Sequence, residues 1–262
     1  TTNTYTKKYD FDWNVPKNGH FPMGNLTLEG NKFYGLTSDG GTGGAGVIFE
    51  WDPGLNVYTK KIDLGNGNGC TFPFASNLAV YGGKFYGTTF YGGTAGSGVI
   101  FEWDPGLNSI ALKFLDFNSI NGAFPAGTIT LSGGQFYGMT SEGGANNMGV
   151  IFKWDPGTNT YIKKIDFGSA SGNAPRSNLT YFGGKLYGMT SEGGANNAGV
   201  IFEWDPATIT YTQKYEFKGL TIPFPFDGAY PYGSLTLAGG KFYGMTSEGG
   251  SYNKGIIFEW DP

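Results

Sequence analysis

The sequence predicts an all-β chain, a five-bladed β-propeller of four-stranded antiparallel blades, on three observations. The tripeptide Trp-Asp-Pro recurs at Trp51, Trp103, Trp154, Trp204 and Trp260, at spacings of 52, 51, 50 and 56 residues. A regular period of this length is a mark of repeat architecture. The apolar residues alternate over short runs bounded by glycine and proline, the pattern of strands, and no stretch keeps helical spacing. The two ends also complete one repeat between them: residues 257–262 followed by 1–11 match 151–167 position for position. That offset predicts a ring whose last blade takes residues 4–11 as its outer strand.

Each unit supplies four strands in order. The first is Asn25-Leu26-Thr27-Leu28, with counterparts at 77–80, 128–131, 178–181 and 234–237. A Gly-Gly turn usually follows, as at Gly82-Gly83, because a tight hairpin needs positive φ. The second strand reads Lys-Phe-Tyr-Gly-Met-Thr at 241–246, and the third Gly-Val-Ile-Phe-Glu-Trp-Asp at 199–205. In the third strand Val47, Phe49 and Trp51 share one face, and Ile48, Glu50 and Asp52 the other. A Pro-Gly-x-Asn turn leads to the fourth, Tyr-Thr-Lys-Lys-Ile-Asp at 58–63. The blades are thus expected at 25–64, 77–117, 128–167, 178–217 and 234–262 plus 4–11, in one domain of 1–262.

Three repeated positions carry structural expectations. Glycine in every second strand (Gly35, Gly87, Gly138, Gly188, Gly244) predicts a place where another backbone or a large ring packs too close for a Cβ, with the neighbouring blade as one source of such rings. The acid that closes each fourth strand (Asp10, Asp63, Asp116, Asp166, Glu216) reads as a cap for a glycine-rich loop. The Asp of Trp-Asp-Pro reads as a turn head that accepts from the backbone two residues on. Trp13 falls outside the repeat.

Composition narrows the function classes. With 22 Phe, 17 Tyr and 6 Trp the chain has ample apolar material, and its 47 glycines therefore mark turns rather than disorder. Net charge is −4 and no basic run exceeds Lys-Lys, which argues against nucleic acid as a partner. No apolar run approaches the length of a membrane-spanning helix, so no membrane insertion is expected. Cys70 is the only cysteine, which removes internal disulfides and thiolate metal sites. The chain opens on Thr1 and is read as a mature or trimmed segment, and as a monomer.

The blades resemble the GloVer-type, kelch-like propeller repeat of bacterial surface and secreted proteins. The residues that carry the likeness are Gly-Gly-Lys-Phe-Tyr-Gly-Met-Thr-Ser-Glu-Gly-Gly at 239–250 and Gly-Val-Ile-Phe-Glu-Trp-Asp-Pro at 199–206. The resemblance spans the chain and implies an extracellular or cell-surface bacterial protein. It brings no catalytic residue that maps here. The second unit departs most, with Thr89-Phe90-Tyr91 where the others have Thr-Ser-Glu or Thr-Ser-Asp.

Long connections gather on one face of the ring, where binding residues tend to sit. They are the loops between strands two and three (141–148, 191–198 and equivalents) and the links between blades. The polar candidates are Glu142, Asn146, Asn147, Glu192, Asn196, Asn197, Glu248 and Asn253. The stacking candidates are Phe21, Phe124 and Tyr230, each followed by proline. Aromatic faces beside carboxylates and amides suit sugars, so a non-catalytic, multivalent carbohydrate-binding module is the first expectation. The structural alternative has Phe-Pro plugging the gap between blade tops and the Ser-Glu-Gly-Gly loop bonding to itself.

A structural or protein-interaction domain of a larger surface protein is the second expectation. The two differ in a visible way: glycan sites should be separate and repeated, and an interaction platform should be one apolar patch spanning several blades. An enzyme is disfavoured. His20 is the only histidine, and a glycoside hydrolase would need carboxylates converging on one channel, whereas Asp12, Glu29, Asp39 and Asp227 are scattered. No cofactor is expected. The Ser-Glu-Gly-Gly-Ala-Asn-Asn loop offers oxygens to calcium but lacks the dense Asp spacing of a dedicated loop.

Overall fold

The computed structural model describes residues 3–12, 14–65, 67, 69–74, 76–114, 117–219 and 226–262. Trp13 and Asp116, both singled out by the sequence, lie outside the described residues. Five antiparallel sheets follow one another, each pairing its strands in chain order. The first is Thr27–Glu29, Lys32–Thr37, Val47–Asp52 and Val57–Asp63. The second is Ala79–Tyr81, Lys84–Thr89, Val99–Asp104 and Ser109–Phe114. Thr130–Ser132, Gln135–Thr140, Val150–Asp155 and Thr160–Asp166 make the third. The fourth is Thr180–Phe182, Lys185–Thr190, Val200–Asp205 and Thr210–Glu216. The fifth has three strands, Thr236–Ala238, Lys241–Met245 and Ile257–Trp260. The chain is a five-bladed β-propeller.

Local chemistry sets these elements much as the sequence predicts. Gly82 and Gly83 adopt φ of 60° and 75°, the left-handed turn that matches the twist of a two-residue hairpin. Asp52 Oδ1 accepts from the amides of Gly54 and Leu55 at 2.9 and 3.0 Å, and Asp104, Asp155 and Asp205 repeat the turn. Asp63 and Asp166 cap the loop between strands two and three, accepting from Thr42 N at 2.9 Å and Ala145 N at 2.8 Å. The ring against each second-strand glycine, however, comes from the same blade. Gly35 pairs directly with Phe49 across the ladder, and a Cβ on Gly35 would lie 2.4 Å from the Phe49 ring.

Blades are joined by one contact used four times. Tyr34 of blade one packs on Phe85 and Trp103 of blade two, with ring centroids 4.5 and 5.7 Å apart. Tyr86 meets Phe136 and Trp154, Tyr137 meets Trp204, and Tyr187 meets Phe242 and Trp260. Each aromatic pair contributes about 0.5–1.5 kcal/mol beyond the area it buries. Where the first strands begin, a belt of hydrogen bonds runs from blade to blade. Asn25 N donates to Asn77 Oδ1, Asn77 N to Thr128 Oγ1, Thr128 N to Asn178 Oδ1 and Asn178 N to Ser234 Oγ.

The N-terminal segment departs from the expected closure. Residues 4–11 form no ladder with Ile257–Trp260, and the fifth sheet ends at that strand. The segment packs instead on blade one, where Tyr9 stacks on Tyr58 at 3.9 Å and Phe11 meets Phe49 at 5.4 Å. Ring stacking on Tyr58 and the apolar seat against Phe49 hold it there, away from the edge it was expected to complete.

Candidate functional site

The long connections cluster on one face, and their backbone is largely satisfied internally. In blade three the Thr140 hydroxyl donates to Glu142 O at 2.9 Å, and Glu142 exchanges backbone bonds with Ala123. Gly143 N donates to Asn147 Oδ1 at 3.0 Å, and Asn147 sits at φ 55°. Blades four and five repeat this through Asn197 and Asn253, which accept from Gly193 N and Gly249 N. Asparagine fits because it tolerates positive φ and its short amide reaches back to the loop.

The residue before each proline is a staple between blades. Phe124 N donates to Ser97 O of the preceding blade at 2.8 Å, and Phe124 O accepts from Ser141 N and Oγ at 3.0 and 2.9 Å. Tyr230 N reaches Ala198 O, and Ala174 N reaches Met148 O, in the same way. Phe21, Phe72, Phe124, Ala174 and Tyr230 all adopt φ between 50° and 57°, a costly region for a bulky residue. The surrounding bonds hold them there. Ala174 keeps the geometry without a ring, so the staple is a backbone device.

The predicted site residues therefore divide. Asn147, Asn197 and Asn253 spend their side-chain oxygens on the loops. Asn146 donates to Phe167 O at 2.7 Å, and Glu192 accepts from Asn173 at 2.9 Å. Tyr230 is partly buried against the core cluster that includes Ala229, Leu235 and Phe242. Phe21 is half-exposed on blade one. The carboxylates of Glu142 and Glu248 and the amide of Asn196 have no side-chain hydrogen bond among the described residues, and Glu142 and Asn196 are exposed. The structure does not gather the eight polar residues into one pocket; they recur blade by blade.

What the structure does bring together is aromatic. Phe72, Phe74, Phe90, Tyr91 and Phe124 form one cluster across the tops of blades two and three. Phe90 stacks on Phe124 at 5.1 Å and 26°, and Tyr91 meets Phe90 edge-on at 5.0 Å. Phe74 lies 5.8 Å from Phe90, and Phe72 lies 5.8 Å from Tyr91 and 6.1 Å from Phe74. Tyr91 is 47% exposed and the other four rings are half-buried, so the cluster is a surface platform rather than a core. The exposed Glu142 sits at its edge, because its backbone pairs with Ala123, next to Phe124. Phe72 and Phe124 belong to the aromatic-proline series of the sequence, and Phe124 is one of its stacking candidates. The signal for the rest was the second unit's Phe90-Tyr91 in place of Ser-Glu.

A second arrangement, which the sequence does not announce, lies within single blades and includes the tyrosine that packs on the next blade. Glu102 accepts from Lys84 at 2.7 Å and Tyr86 at 2.9 Å, with Lys113 at 3.4 Å. Glu203 repeats it with Lys185, Tyr187 and Lys214, and Glu50 with Lys32 and Lys61. Burial alone would raise the Glu102 carboxyl, but the Lys84 and Tyr86 bonds and the lysine charges outweigh it and hold it below the usual range. Burial, with the bond to Glu203, pushes the Tyr187 hydroxyl up to about 12. Blade three changes both partners together, to Gln135 and Lys153, and Gln135 bonds Asp155 instead. That paired change was the readable sign of the contact. Burial pushes the Cys70 thiol up to about 12, which leaves it unreactive at neutral pH.

The fold and this face define a repeat-built propeller that presents loops from a series of five sheets. Two overlapping matches to the Gloeobacter/Verrucomicrobia repeat, over residues 1–134 and 114–262, cover the chain, and the protein belongs to that family. No curated protein matches it. Among solved structures it is similar to the extracellular domain of a one-component system of B. thetaiotaomicron, with TM-score 0.59 and 12% identity over 91% of this chain. It spans about a quarter, 26%, of that longer chain. It is also similar to a chain of a nidogen–laminin complex, with TM-score 0.55, 13% identity and coverage of 88% of this chain and 76% of that one. At these identities the likeness is one of fold.

Proposed function

We propose that the protein is a non-catalytic, extracellular binding module that engages a protein partner through the aromatic platform on its long-loop face. The observation that carries this reading is the contiguous cluster of Phe72, Phe74, Phe90, Tyr91 and Phe124 across two blades. A single apolar patch spanning blades is the mark of an interaction surface, and exposed aromatic groups are the usual anchors of such surfaces. Asn147, Asn197 and Asn253, three of the asparagines expected at separate sugar sites, bond to their own loops. The scattered acids also serve local turns: Asp12 holds Asn14, Asp39 holds Gly40, and Asp227 accepts from Tyr215 and Lys218. Extracellular placement is supported by the family and by the extracellular domain among its structural relatives.

Carbohydrate binding is the second reading, favoured by the exposed Glu142, whose backbone pairs with Ala123, the residue before Phe124. The same platform could stack a sugar while the carboxylate accepts its hydroxyls. Selection from a displayed peptide library, run beside a glycan array, separates the two. The first reading predicts enriched apolar peptides whose binding is lost in Tyr91→Ala. An empty peptide selection with array hits lost in Tyr91→Ala and Glu142→Ala would replace it with the second.

A further inference from the structure

The two end faces of the blade series are exposed and complementary. On blade one the face turned away from blade two carries Leu26, Leu28, Phe33, Phe49 and Trp51, grouped by the pairing of Leu28 with Phe33 and Phe33 with Trp51. It opens on an apolar cavity of about 420 Å³ lined by Leu26, Phe33, Phe49 and Trp51 with Tyr9, Phe11 and Tyr58. Leu26 is 53% exposed, whereas its counterparts Leu78, Ile129, Leu179 and Leu235 are 2–3% exposed. On blade five the opposite face carries Tyr243, Met245 and Ile257. Met245 and Ile257 are 60% and 79% exposed, whereas Met189 and Ile201 of blade four are buried at 0% and 1%.

Every internal junction shows what these faces fit. The tyrosine of one blade packs on the phenylalanine and tryptophan of the next, as Tyr187 does on Phe242 and Trp260, and where blade four has Leu186 for the phenylalanine Tyr137 still meets Trp204. Tyr243 is already held in the matching pose by Glu259, as Tyr187 is by Glu203 at 3.1 Å. Phe33 and Trp51 are the matching receivers, and among the described residues Tyr243 makes no ring contact with them.

The N-terminal segment supplies the independent sign. Phe11 lies against Phe49 at 5.4 Å and 64°, and against Tyr58 at 5.7 Å and 90°. Phe117 takes the same seat on Phe152 and Tyr161, at 5.3 Å and 57° and at 5.8 Å and 83°. Phe117 and Phe167 are the residues that follow the fourth strand of the preceding blade. Phe11 thus occupies the place of a residue leaving a blade that would dock on blade one. The Lys7–Asp10 pair at 2.7 Å repeats the Lys60–Asp63 and Lys163–Asp166 pairs at 2.8 Å of complete fourth strands. Among the described residues the sheet of blade five has three strands.

We propose that the chain self-associates head to tail, blade five of one copy docking on blade one of a second copy. Tyr243 packs on the second copy's Phe33 and Trp51, and the second copy's residues 4–10 pair with Ile257–Trp260 as the outer strand. The surface continues the interface already built four times within the chain, so its occupant is a blade of this sequence. It replaces the expectation of a monomer.

The test uses sedimentation velocity on the whole chain and two charge variants at exposed positions. Met245→Glu with Ile257→Glu blocks blade five, and Leu26→Glu with Leu28→Glu blocks blade one. The wild type should gain mass with concentration, and each variant should remain a single chain with unchanged melting. Mixed, the two variants should form a one-to-one dimer, because each retains one good face. A wild type that stays a single chain at all concentrations would overturn the proposal, whether because its ends meet within one copy or because a different protein covers them. A mixture that forms no dimer would overturn it as well.

Discussion

The Tyr86 hydroxyl donates to Glu102 at 2.9 Å at the junction where the Tyr86 ring packs on Phe136 and Trp154. One side chain therefore serves both the polar and the apolar half of the blade contact. Glu102 is held below the ordinary glutamate range, so it favours the folded state while ionised. That stabilisation is complete above the unfolded value of about 4.3 and fades as pH falls through the lower folded value. The melting temperature should drop on acidification below pH of about 4, less steeply in Glu102→Gln. Tyr86→Phe should cost about 1.5–3 kcal/mol near neutral pH, read by urea unfolding.

Gly138 faces Phe152 so closely that a Cβ would lie 2.5 Å from the ring tip. Gly138→Ala should destabilise the protein by about 1–3 kcal/mol through overpacking. Adding Phe152→Leu should recover part of the loss, and chemical denaturation of the single and double variants checks both.

Ile209 breaks a pattern. Asn56, Asn108 and Asn159 occupy its turn position with φ of 57°, 47° and 55°, and Ile209 takes φ 58° with a β-branched side chain. Asn159 also accepts from Trp154 Nε1 at 3.1 Å, whereas Trp204 Nε1 is buried with no acceptor. Ile209→Asn should relieve the strain and satisfy the indole, raising stability by about 1–2 kcal/mol in thermal unfolding.

Asn147 and Asn197 serve the loops through their side-chain oxygens. Asn147→Ala and Asn197→Ala should each lower stability by about 1 kcal/mol and leave partner binding unchanged. Calorimetric melting beside a binding titration checks the pair of effects.

The blade architecture was legible because the repeat fixes it: Trp-Asp-Pro, the Gly-Gly turns and the alternating third strand each encode local geometry. Closure was not, because matching sequence at residues 4–11 specifies a fourth strand without specifying which edge it meets. Phe11 found the seat the repeat assigns, on Phe49 and Tyr58, while the ladder to Ile257–Trp260 did not form. The second-strand glycines announced a close ring, yet only the register of Gly35 with Phe49 shows it comes from the same blade. The loop asparagines read as ligands because their inward bonds depend on positive φ, which residue type permits but does not reveal. The joining of Phe72, Phe74, Phe90, Tyr91 and Phe124 into one cluster is not legible in the sequence because the rings come from three separate connections.

The direct test of the binding face rewrites the second unit to the sequence of the others, Phe90→Ser with Tyr91→Glu. The fold should tolerate it, since Phe90 N already donates to Phe72 O at 3.0 Å as Ser141 N does to Phe124 O. With a peptide or glycan obtained by selection on the wild type, titration calorimetry should show affinity reduced at least about tenfold and melting unchanged. Equal affinity for the two proteins would contradict the assignment of the aromatic platform as the binding site.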